Sequence, residues 1–182
     1  MKIIPTRFDK VILVELTKYE DHRGYFLESY HEHLFKQYGI DCKFIQDNHS
    51  YSKQSGTIRG LHYQLQPKAQ SKLVRVTRGA IYDVIVDIRA NSQTYGKWEG
   101  YKLTAKNQRL LFVPKGFAHG FCTLVEETEV QYKVDEYYSP EHERGVYWNS
   151  SKLNIDWPVT NPIISHKDEK LPRFDKAEKF YF

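Results

Sequence analysis

Short runs of alternating hydrophobic and polar residues follow one another along most of the chain. The run at 11–16 is followed by a polar turn over 20–24 and a second short run at 25–28, which together predict a β-hairpin. Turn residues divide the rest of the pattern about every 8–12 residues, a spacing typical of a β-sandwich or barrel. The further predicted strands cover residues 44–52, 57–64, 72–77, 80–88, 97–104, 109–113, 120–125 and 129–137.

One segment has the spacing of a helix instead. Residues 31–38 carry their large apolar side chains on one stripe, and Gly39 follows as a C-terminal stop. A short helix of about two turns is therefore predicted. The tail after Trp157 is less regular, and we expect it to wrap around the barrel.

The composition agrees with this pattern. The chain has 182 residues, of which 40% are hydrophobic, so it is long enough to bury a core as one domain. Aromatic residues make up 15%, which favours strands over helices. No linker or low-complexity stretch divides the chain, and a single domain over residues 1–182 is predicted.

Charge and cysteine content narrow the classes of function. Lys+Arg 27 against Asp+Glu 23 gives a net charge of only +4, which argues against a nucleic-acid or membrane surface. No apolar run approaches the roughly 18 residues of a membrane helix, and the first residues lack a signal peptide's apolar stretch. Cys42 and Cys122 are expected to be free thiols in a reducing compartment. We expect a cytoplasmic protein that binds neither nucleic acid nor membranes.

An ionisable residue interrupts one of the predicted strands. Alternation along 57–64 places Ile58, Gly60, His62 and Gln64 on one face. An ionisable group on the inward face of a barrel carries a desolvation cost, which makes His62 a candidate catalytic base. The alternative is a core histidine hydrogen-bonded to the backbone.

Lys72 and Tyr132 stand out in the same way, because each shares a strand face with two valines. Taken alone, Lys72 fits a lysine at a strand end that reaches water, and Tyr132 fits a core tyrosine. Taken together with His62, they indicate a catalytic site. A base, a cation and a phenol that converge from separate strands are what proton transfer next to a carbonyl requires.

A second polar motif follows the strand at 109–113. Pro114-x-Gly116-x-x-His119 has the form of the second cupin motif, in which a corner delivers a histidine into the barrel mouth. Metal-binding cupins carry His-x-His in their first motif, whereas this chain has His62 followed by Gln64. Because a transition-metal site would then depend on a weak amide ligand, we expect no metal. Both histidines remain available for acid–base chemistry and hydrogen bonding.

Six short motifs, taken together, are more specific than any one of them. They are Asp21-x-Arg23-Gly24-x-Phe26-x-Glu28, Gln46-x-Asn48-x-Ser50, Gly56-x-x-Arg59-Gly60-Leu61-His62-x-Gln64, Pro114-x-Gly116-Phe117-Ala118-His119-Gly120-Phe121, Tyr132-Lys133 and Ser165-x-Lys167-Asp168. In this order and at near this spacing they resemble the dTDP-4-dehydrorhamnose 3,5-epimerase family. One departure is Ser92-Gln93-Thr94, where the family often has Ser-Pro-Thr.

The resemblance implies an all-β, cupin-type jelly-roll barrel with a short N-terminal helix and an irregular C-terminal tail. It implies a homodimer without metal or other cofactor that converts dTDP-4-dehydro-6-deoxy-D-glucose into dTDP-4-dehydro-β-L-rhamnose, for dTDP-L-rhamnose biosynthesis. Three alternatives stay open: an epimerase of C3 or C5 alone on a related 4-keto nucleotide sugar, a non-catalytic cupin that binds sugar nucleotides, and a metal-dependent cupin oxygenase.

The resemblance also implies roles for individual residues, with His62 as proton acceptor and Tyr132 as proton donor. Physical arguments place the Lys72 ammonium near the enolate oxygen O4 and Asp168 on the second ring nitrogen of His62. Tyr138 falls at the position that stacks on the thymine ring. The other substrate-contacting positions implied are Arg23, Glu28, Gln46, Asp47, Asn48, Arg59, Lys72, His119, Glu143 and Lys167.

Two arginines of this set raise separate questions. Arg23 and Arg59 suit a diphosphate, as does Lys167, but Arg23 also fits a turn residue in solvent. Arg59 lies three residues before His62, so a regular strand would point their side chains to opposite faces. Either a bulge at Gly60 re-aims one of them, or a contact comes from the partner subunit.

Overall fold

The computed structural model describes residues 1–182 and is built mainly from two antiparallel β-sheets that face each other. Strands are numbered along the chain. The six-stranded sheet has the order β1 (Lys2–Ile4), β2 (Ile12–Glu15), β10 (Arg109–Val113), β7 (Lys72–Arg78), β12 (Thr128–Val134), β5 (Gln46–Ser52). The five-stranded sheet has the order β13 (Glu143–Gly145), β6 (Ile58–Gln64), β11 (Phe117–Thr123), β8 (Ala80–Asp87), β9 (Trp98–Thr104).

A separate ribbon and short helices complete the fold. The ribbon pairs β3 (Tyr19–Asp21) with β4 (Gly24–Phe26), and the helices are α1 (Glu32–Gln37), α2 (His166–Glu169) and a 3₁₀ turn at Phe174–Lys176. The predicted all-β class is confirmed, including the short N-terminal helix and the irregular tail. None of the helices has the length and apolar character needed to cross a lipid bilayer.

The main core lies between the two sheets. Val74, Leu111 and Val130 come from the six-stranded sheet, and Ile85 and Leu103 come from the five-stranded sheet; all are buried in one cluster. Side chains of this type each contribute about 1.5–3 kcal/mol when fully buried. Polar residues on the same inner faces are therefore the exception, and they mark the site described below.

The outer face of each sheet is covered by a different part of the chain. On the six-stranded sheet, Phe35 of α1 packs against Val14 and Leu110. On the five-stranded sheet, the C-terminal tail supplies Trp157 and Phe180 to a second cluster. The tail therefore wraps the barrel as predicted, and it brings α2 against strand β6.

Helix α1 ends where the sequence predicts. The His31 side chain accepts a hydrogen bond from the Leu34 N–H at 3.3 Å and caps the first turn. Tyr38 closes the last turn, and Gly39 follows with φ of 89°. The predicted segment 31–38 thus contains the helix together with both of its caps.

The predicted N-terminal hairpin was wrong about its first strand. The run at 11–16 becomes β2, which lies between β1 and β10 in the six-stranded sheet. Its apolar side chains are buried there, so it is not free to pair with residues 25–28. Strand β4 pairs instead with β3 in an exposed ribbon that turns at Arg23.

Strand β11 begins three residues earlier than the predicted 120–125. The corner after Pro114 is completed at Gly116, whose φ is 89°, and pairing with β8 starts at once with Phe117 opposite Asp87. His119 therefore lies within a strand and not on a loop. Strands β1 and β13 and helix α2 were not predicted, because each is too short to show a period.

Strand β6 contains the bulge that the sequence left open. His62 lies opposite His119, but Arg59 lies opposite Phe121, so β6 has one residue more than its partner over this stretch. A Cβ atom on Gly60 would stand 2.5 Å from Cα of Gly120, so only glycine fits there. The extra residue turns both Arg59 and His62 toward the inside of the barrel.

Because of this bulge, the prediction that Ile58, Gly60, His62 and Gln64 share one face of the strand is wrong. Strict alternation places Ile58 on the same face as His62, but the Ile58 side chain packs with Leu61 and Tyr63 in the cluster on the outer face. Alternation holds on each side of the bulge and fails across it. Only the geometry of the neighbouring strand shows where the phase changes.

Candidate active site

Two adjoining cavities open between the sheets, with volumes of about 470 and 350 Å³. Three residues line both of them: His62 on β6, Lys72 on β7 and Tyr132 on β12. The base, the cation and the phenol singled out by their strand positions are thus brought together. Other predicted site residues in these cavities are Gln46, Asn48, Arg59, His119, Tyr138, Glu143, Lys167 and Asp168.

His62 forms a pair with a carboxylate from the tail. Its Nε2 lies 2.7 Å from Oδ1 of Asp168, and Oδ2 of Asp168 accepts a hydrogen bond from the Gly60 N–H at 3.1 Å. The Ser165 side chain accepts a hydrogen bond from the Asp168 N–H and so caps α2. This geometry matches the predicted partnership.

The surroundings of Asp168 favour its ionised form. Burial alone acts to raise the pKa of this carboxyl, but the hydrogen bond and charge of His62 and the Gly60 N–H hold it below its usual value. An ionised Asp168 orients the imidazole and stabilises it when it carries a second proton. The Nδ1 atom of His62 is left for a substrate.

A second histidine pair lies deeper in the barrel. Nε2 of His119 is 2.9 Å from Oδ1 of Asp83, and both side chains are almost completely buried. Asp83 was not predicted from the sequence. A signal existed, because alternation along β8 places this aspartate between Ile81 and Ile85 on an inward face.

Lys72 and Tyr132 are both perturbed by burial. Removal from water lowers the pKa of the Lys72 ammonium to about 8, although the negative charges of Asp83 and Glu143 act in the opposite direction. Burial raises the pKa of the Tyr132 phenol, against the opposing charge of Arg59. Tyr132 is therefore a neutral hydrogen donor at physiological pH.

Three predicted binding residues, Tyr138, Glu143 and Lys167, form a cluster at the opening of the two cavities, which we call the mouth. Oε2 of Glu143 accepts hydrogen bonds from the Tyr138 hydroxyl and the Lys167 ammonium, each at 2.5 Å. Burial acts to raise the pKa of Glu143, but these two donors hold it below its usual range. The Lys167 ammonium also lies 5.9 Å from the centre of the Tyr138 ring.

Polar side chains continue along the wall near strand β5. Arg59 donates to the Tyr51 carbonyl at 3.0 Å and to the Ser52 hydroxyl at 3.2 Å. Gln46 donates to the Asn48 side chain at 2.8 Å. The guanidinium of Arg59 is thereby fixed at the edge of the larger cavity.

Three predicted substrate-contacting residues do not reach these cavities. Asp47 points to the other face of β5 and pairs with Lys133 at 2.8 Å, because neighbouring strand residues alternate in direction. Arg23 is on the exposed ribbon and pairs with Asp21 at 2.6 Å. Glu28 is exposed just after that ribbon.

The chain contains no group of three or more His, Cys, Asp or Glu side chains arranged to hold a metal ion. His62 and His119 are each bonded to an aspartate instead. With Lys72 and Tyr132 nearby, this arrangement can remove a proton next to a carbonyl, stabilise the resulting oxyanion and return a proton.

Comparison with known proteins gives a consistent result. A family model described as dTDP-4-dehydrorhamnose 3,5-epimerase matches residues 5–176. The chain is 47% identical over 181 residues to a dTDP-4-dehydrorhamnose 3,5-epimerase from Shigella flexneri, with 99% of each chain covered.

Solved structures are similar over the same extent. The dTDP-4-dehydrorhamnose 3,5-epimerase of Bacillus anthracis, with TDP and PPi bound, has 56% sequence identity and a TM-score of 0.93, covering 94% of this chain and 98% of that one. A dTDP-6-deoxy-D-glucose-3,5-epimerase from Legionella pneumophila, in complex with dTDP-4-keto-L-rhamnose, has 41% identity and a TM-score of 0.92, covering 96% and 93%. The predicted cupin-type barrel is confirmed by these similarities.

Proposed function

The chain belongs to the dTDP-4-dehydrorhamnose 3,5-epimerase family, and from that premise we propose how its residues divide the work of the reaction. The activity is the epimerisation of C3 and C5 in the biosynthesis of dTDP-L-rhamnose. The substrate is dTDP-4-dehydro-6-deoxy-D-glucose, a sugar with a ketone at C4. Hydrogens at C3 and C5 flank this ketone, so removal of either gives an enolate with its charge on O4.

His62 is the base that removes each proton. It lies on the inner wall of the five-stranded sheet. Its ring is oriented by Asp168, whose Oδ1 lies 2.7 Å from Nε2 of His62. A positioned base of this kind accelerates proton removal by about 10²–10⁴-fold. Asp168 stabilises the imidazolium that forms, without itself taking the proton.

Lys72 stabilises the enolate. The ammonium is half-buried and lines both cavities together with His62. A compact positive charge in a site shielded from water interacts strongly with a developing oxyanion. His119 lines the larger cavity and is a second polar group available to the sugar.

Tyr132 is the acid that returns the proton. A base alone removes and returns a proton on one face, whereas inversion requires delivery to the other. Tyr132 belongs to the six-stranded sheet and His62 to the five-stranded sheet, so a sugar ring between the sheets has one group on each side. This placement on opposite walls is the observation that carries the proposed mechanism.

The mouth and the β5 wall bind the nucleotide. Arg59 and Lys167 line the larger cavity and provide positive charge for the diphosphate. Tyr138, at the mouth, offers a flat ring for the thymine. Gln46 and Asn48 supply neutral hydrogen-bonding groups on the adjoining wall.

We propose that the protein acts as a homodimer and that Arg23 and Glu28 contact substrate in the partner's site. Their ribbon stands away from this chain's cavities and exposes Tyr19, Tyr25 and Phe26 to solvent. Exposed aromatic residues are characteristic of interface cores. We also propose a single domain over residues 1–182, since the tail supplies Asp168, and a cytoplasmic location, in keeping with the two free thiols.

Proton NMR in deuterated water tests the activity directly. The enzyme with dTDP-4-dehydro-6-deoxy-D-glucose should exchange the protons at both C3 and C5 and give the L-configured product. Exchange at one carbon alone would indicate a single-position epimerase. Binding without exchange at either carbon would indicate a non-catalytic sugar-nucleotide protein and would overturn the proposal.

Mixed variants test the dimer. If Arg23 acts across the interface, mixing inactive Arg23→Ala and His62→Ala proteins should restore about a quarter of the activity, because half of the dimers then contain one complete site. No restoration after exchange of subunits would place Arg23 in its own chain's site, and full activity of Arg23→Ala alone would place it outside both sites. Light scattering should give twice the chain mass of 21.6 kDa.

A further inference from the structure

Asp83 is a buried carboxylate with half of its hydrogen-bonding capacity unused. It lies on β8, is fully buried, and uses Oδ1 for the 2.9 Å contact with His119. Its other oxygen, Oδ2, is buried and has no hydrogen-bond partner in the protein. Because an unsatisfied buried carboxylate is destabilising, the presence of this one needs an explanation.

The other two carboxylates near the cavities are already engaged. Asp168 accepts hydrogen bonds from His62 and the Gly60 N–H, and Glu143 accepts from Tyr138 and Lys167 at the mouth. Lys72, in contrast, has no carboxylate in salt-bridge contact. The long-range charge of Asp83 is therefore the main one that can balance the Lys72 ammonium.

We propose that Asp83 is a positioning residue for the epimerisation: it supplies the buried negative charge that keeps Lys72 protonated and it fixes the ring of His119 beside the sugar. This rests on the role proposed for Lys72 above. Asp83 itself makes no contact with substrate. Its effect is on the charge of Lys72, which we place near O4, and on the orientation of His119.

The electrostatics of Lys72 agree with this role. Burial brings the pKa of its ammonium down to about 8, and the charge of Asp83 is the largest influence that opposes the fall, followed by Glu143. Without Asp83, Lys72 would lose its proton at lower pH. Besides Glu143, the titratable groups that line the cavities with Lys72 are Arg59, His62, Tyr63, His119, Tyr132, Tyr138, Lys167 and Asp168.

The test uses Asp83→Asn, which keeps the shape and an acceptor for His119 but removes the charge. We expect kcat to fall by about 10-fold to 100-fold, as for outer partners that orient a reacting group, with KM changed less than about 3-fold. The alkaline limb of the kcat profile should move down by about one pH unit, because the protonated form of Lys72 is the active one. Deuterium exchange at C3 and C5 should fall together.

A direct titration of Lys72 keeps the test independent of activity. The ¹³Cε signal of Lys72, assigned with Lys72→Arg, should titrate near pH 8 in the unmodified enzyme and lower in Asp83→Asn. Asp87→Asn is the matched control, since Asp87 is also buried on β8 but is bonded to Arg89, Ser92 and Thr94. It should lower stability without moving the titration.

The outcomes separate this inference from the proposed function. If Asp83→Asn leaves both the alkaline limb and the Lys72 titration in place, Asp83 is only a structural partner of His119 and the inference fails. If the unmodified enzyme shows no proton exchange, the proposed function itself fails. If Asp83→Asn does not fold, a Lys72→Arg enzyme that keeps the wild-type alkaline limb would overturn the inference, because arginine does not titrate in that range.

Discussion

Two histidine–aspartate pairs lie at the larger cavity, and they differ in origin and exposure. The His62 side chain is 30% exposed and its aspartate comes from α2 in the tail, whereas the His119 side chain is 8% exposed and its aspartate lies on the neighbouring strand β8. Both contacts are short, at 2.7 and 2.9 Å. The same pair of side chains therefore occurs once at the edge of the cavity and once deep within the barrel.

This difference teaches what each pair can do. In the first pair the carboxylate is fully hydrogen-bonded and the imidazole is open to the cavity, so a proton can arrive and leave. In the second pair the imidazole is enclosed and the carboxylate has an unused oxygen, so its charge acts on its surroundings. In the proposed mechanism the His62–Asp168 pair moves protons, and the His119–Asp83 pair supplies a fixed charge.

Replacement of His62 is expected to have the largest effect among the variants that test the different roles of the two pairs. His62→Ala should lose deuterium exchange and epimerisation together, by about 10⁴-fold, because no enolate forms without the base. The measurement is proton NMR in deuterated water with saturating substrate. His49→Ala is the control, since His49 also pairs with a carboxylate, Glu129 at 3.2 Å, but outside the catalytic cavities. Comparable exchange in His62→Ala and His49→Ala would remove His62 from the base role.

Asp168→Asn should have a smaller effect than loss of His62. The amide still fills the space beside the imidazole but no longer stabilises its charged form or fixes its tautomer. We expect both exchange rates to fall by about 10²-fold, the lower end of the range for acid–base catalysis, with exchange still measurable. An Asp168→Asn enzyme as active as the wild type would mean that the tail contributes structure and no chemistry.

Tyr132→Phe separates proton removal from proton return. The enolate can still form and receive a proton from His62 on its original face, so deuterium should enter with little L-configured product. NMR of the recovered sugar measures both quantities, with C3 the position where exchange is most expected. Tyr101→Phe is the control, because Tyr101 is a buried tyrosine of the same core whose hydroxyl bonds to Glu99. If Tyr132→Phe abolished exchange as completely as His62→Ala, the assignment of donor and acceptor would have to be redrawn.

The His119–Asp83 pair should contribute more to the stability of the fold than the His62–Asp168 pair. His119→Ala leaves the buried Asp83 without any hydrogen-bond partner, which should lower the free energy of unfolding by about 1–3 kcal/mol. His62→Ala should cost less, because His62 is more exposed and Asp168 keeps its bond to Gly60. Urea denaturation of the two variants measures the difference. Equal decreases in the free energy of unfolding would mean that the two pairs do not differ in their contribution to stability.

The pairing of His62 with Asp168 could be predicted from the sequence, but the pairing of His119 with Asp83 could not. His62 and Asp168 both lie in motifs that resemble those of a family, so their partnership follows from the sequence alone. Asp83 lies within no such motif, and its pairing with His119 depends on which strands are neighbours in the five-stranded sheet. Strand order is a long-range property that alternation along one strand does not contain.

Local patterns failed at positions where other parts of the chain decide. The bulge at Gly60 depends on the close approach of Gly120, and the pairing of β2 depends on β10, almost a hundred residues away. Helix α1 was predicted well because its stripe and its caps are all within nine residues. The positions of Arg23 and Glu28 were not predicted, since no single strand relates the ribbon to the cavity.

The smallest expected effect concerns the mouth, outside both pairs. Tyr138→Ala should weaken binding of dTDP by about 1–3 kcal/mol, since its ring provides the stacking surface proposed for thymine. Proton exchange at saturating substrate should hardly change, because neither histidine nor Lys72 loses a contact. Calorimetry with dTDP and NMR exchange measure the two effects separately.

The neighbouring residue provides a matched control for this variant. Tyr137 is 58% exposed and Tyr138 is 53% exposed, yet only Tyr138 lines a cavity and bonds to Glu143. Tyr137→Ala should therefore bind dTDP like the wild type. Equal loss of affinity in both variants would point to the loop as a whole, and no loss in Tyr138→Ala would refute the stacking role. A loss confined to Tyr138→Ala, with exchange retained, would assign nucleotide binding to the mouth and leave proton transfer to the His62–Asp168 pair and Tyr132.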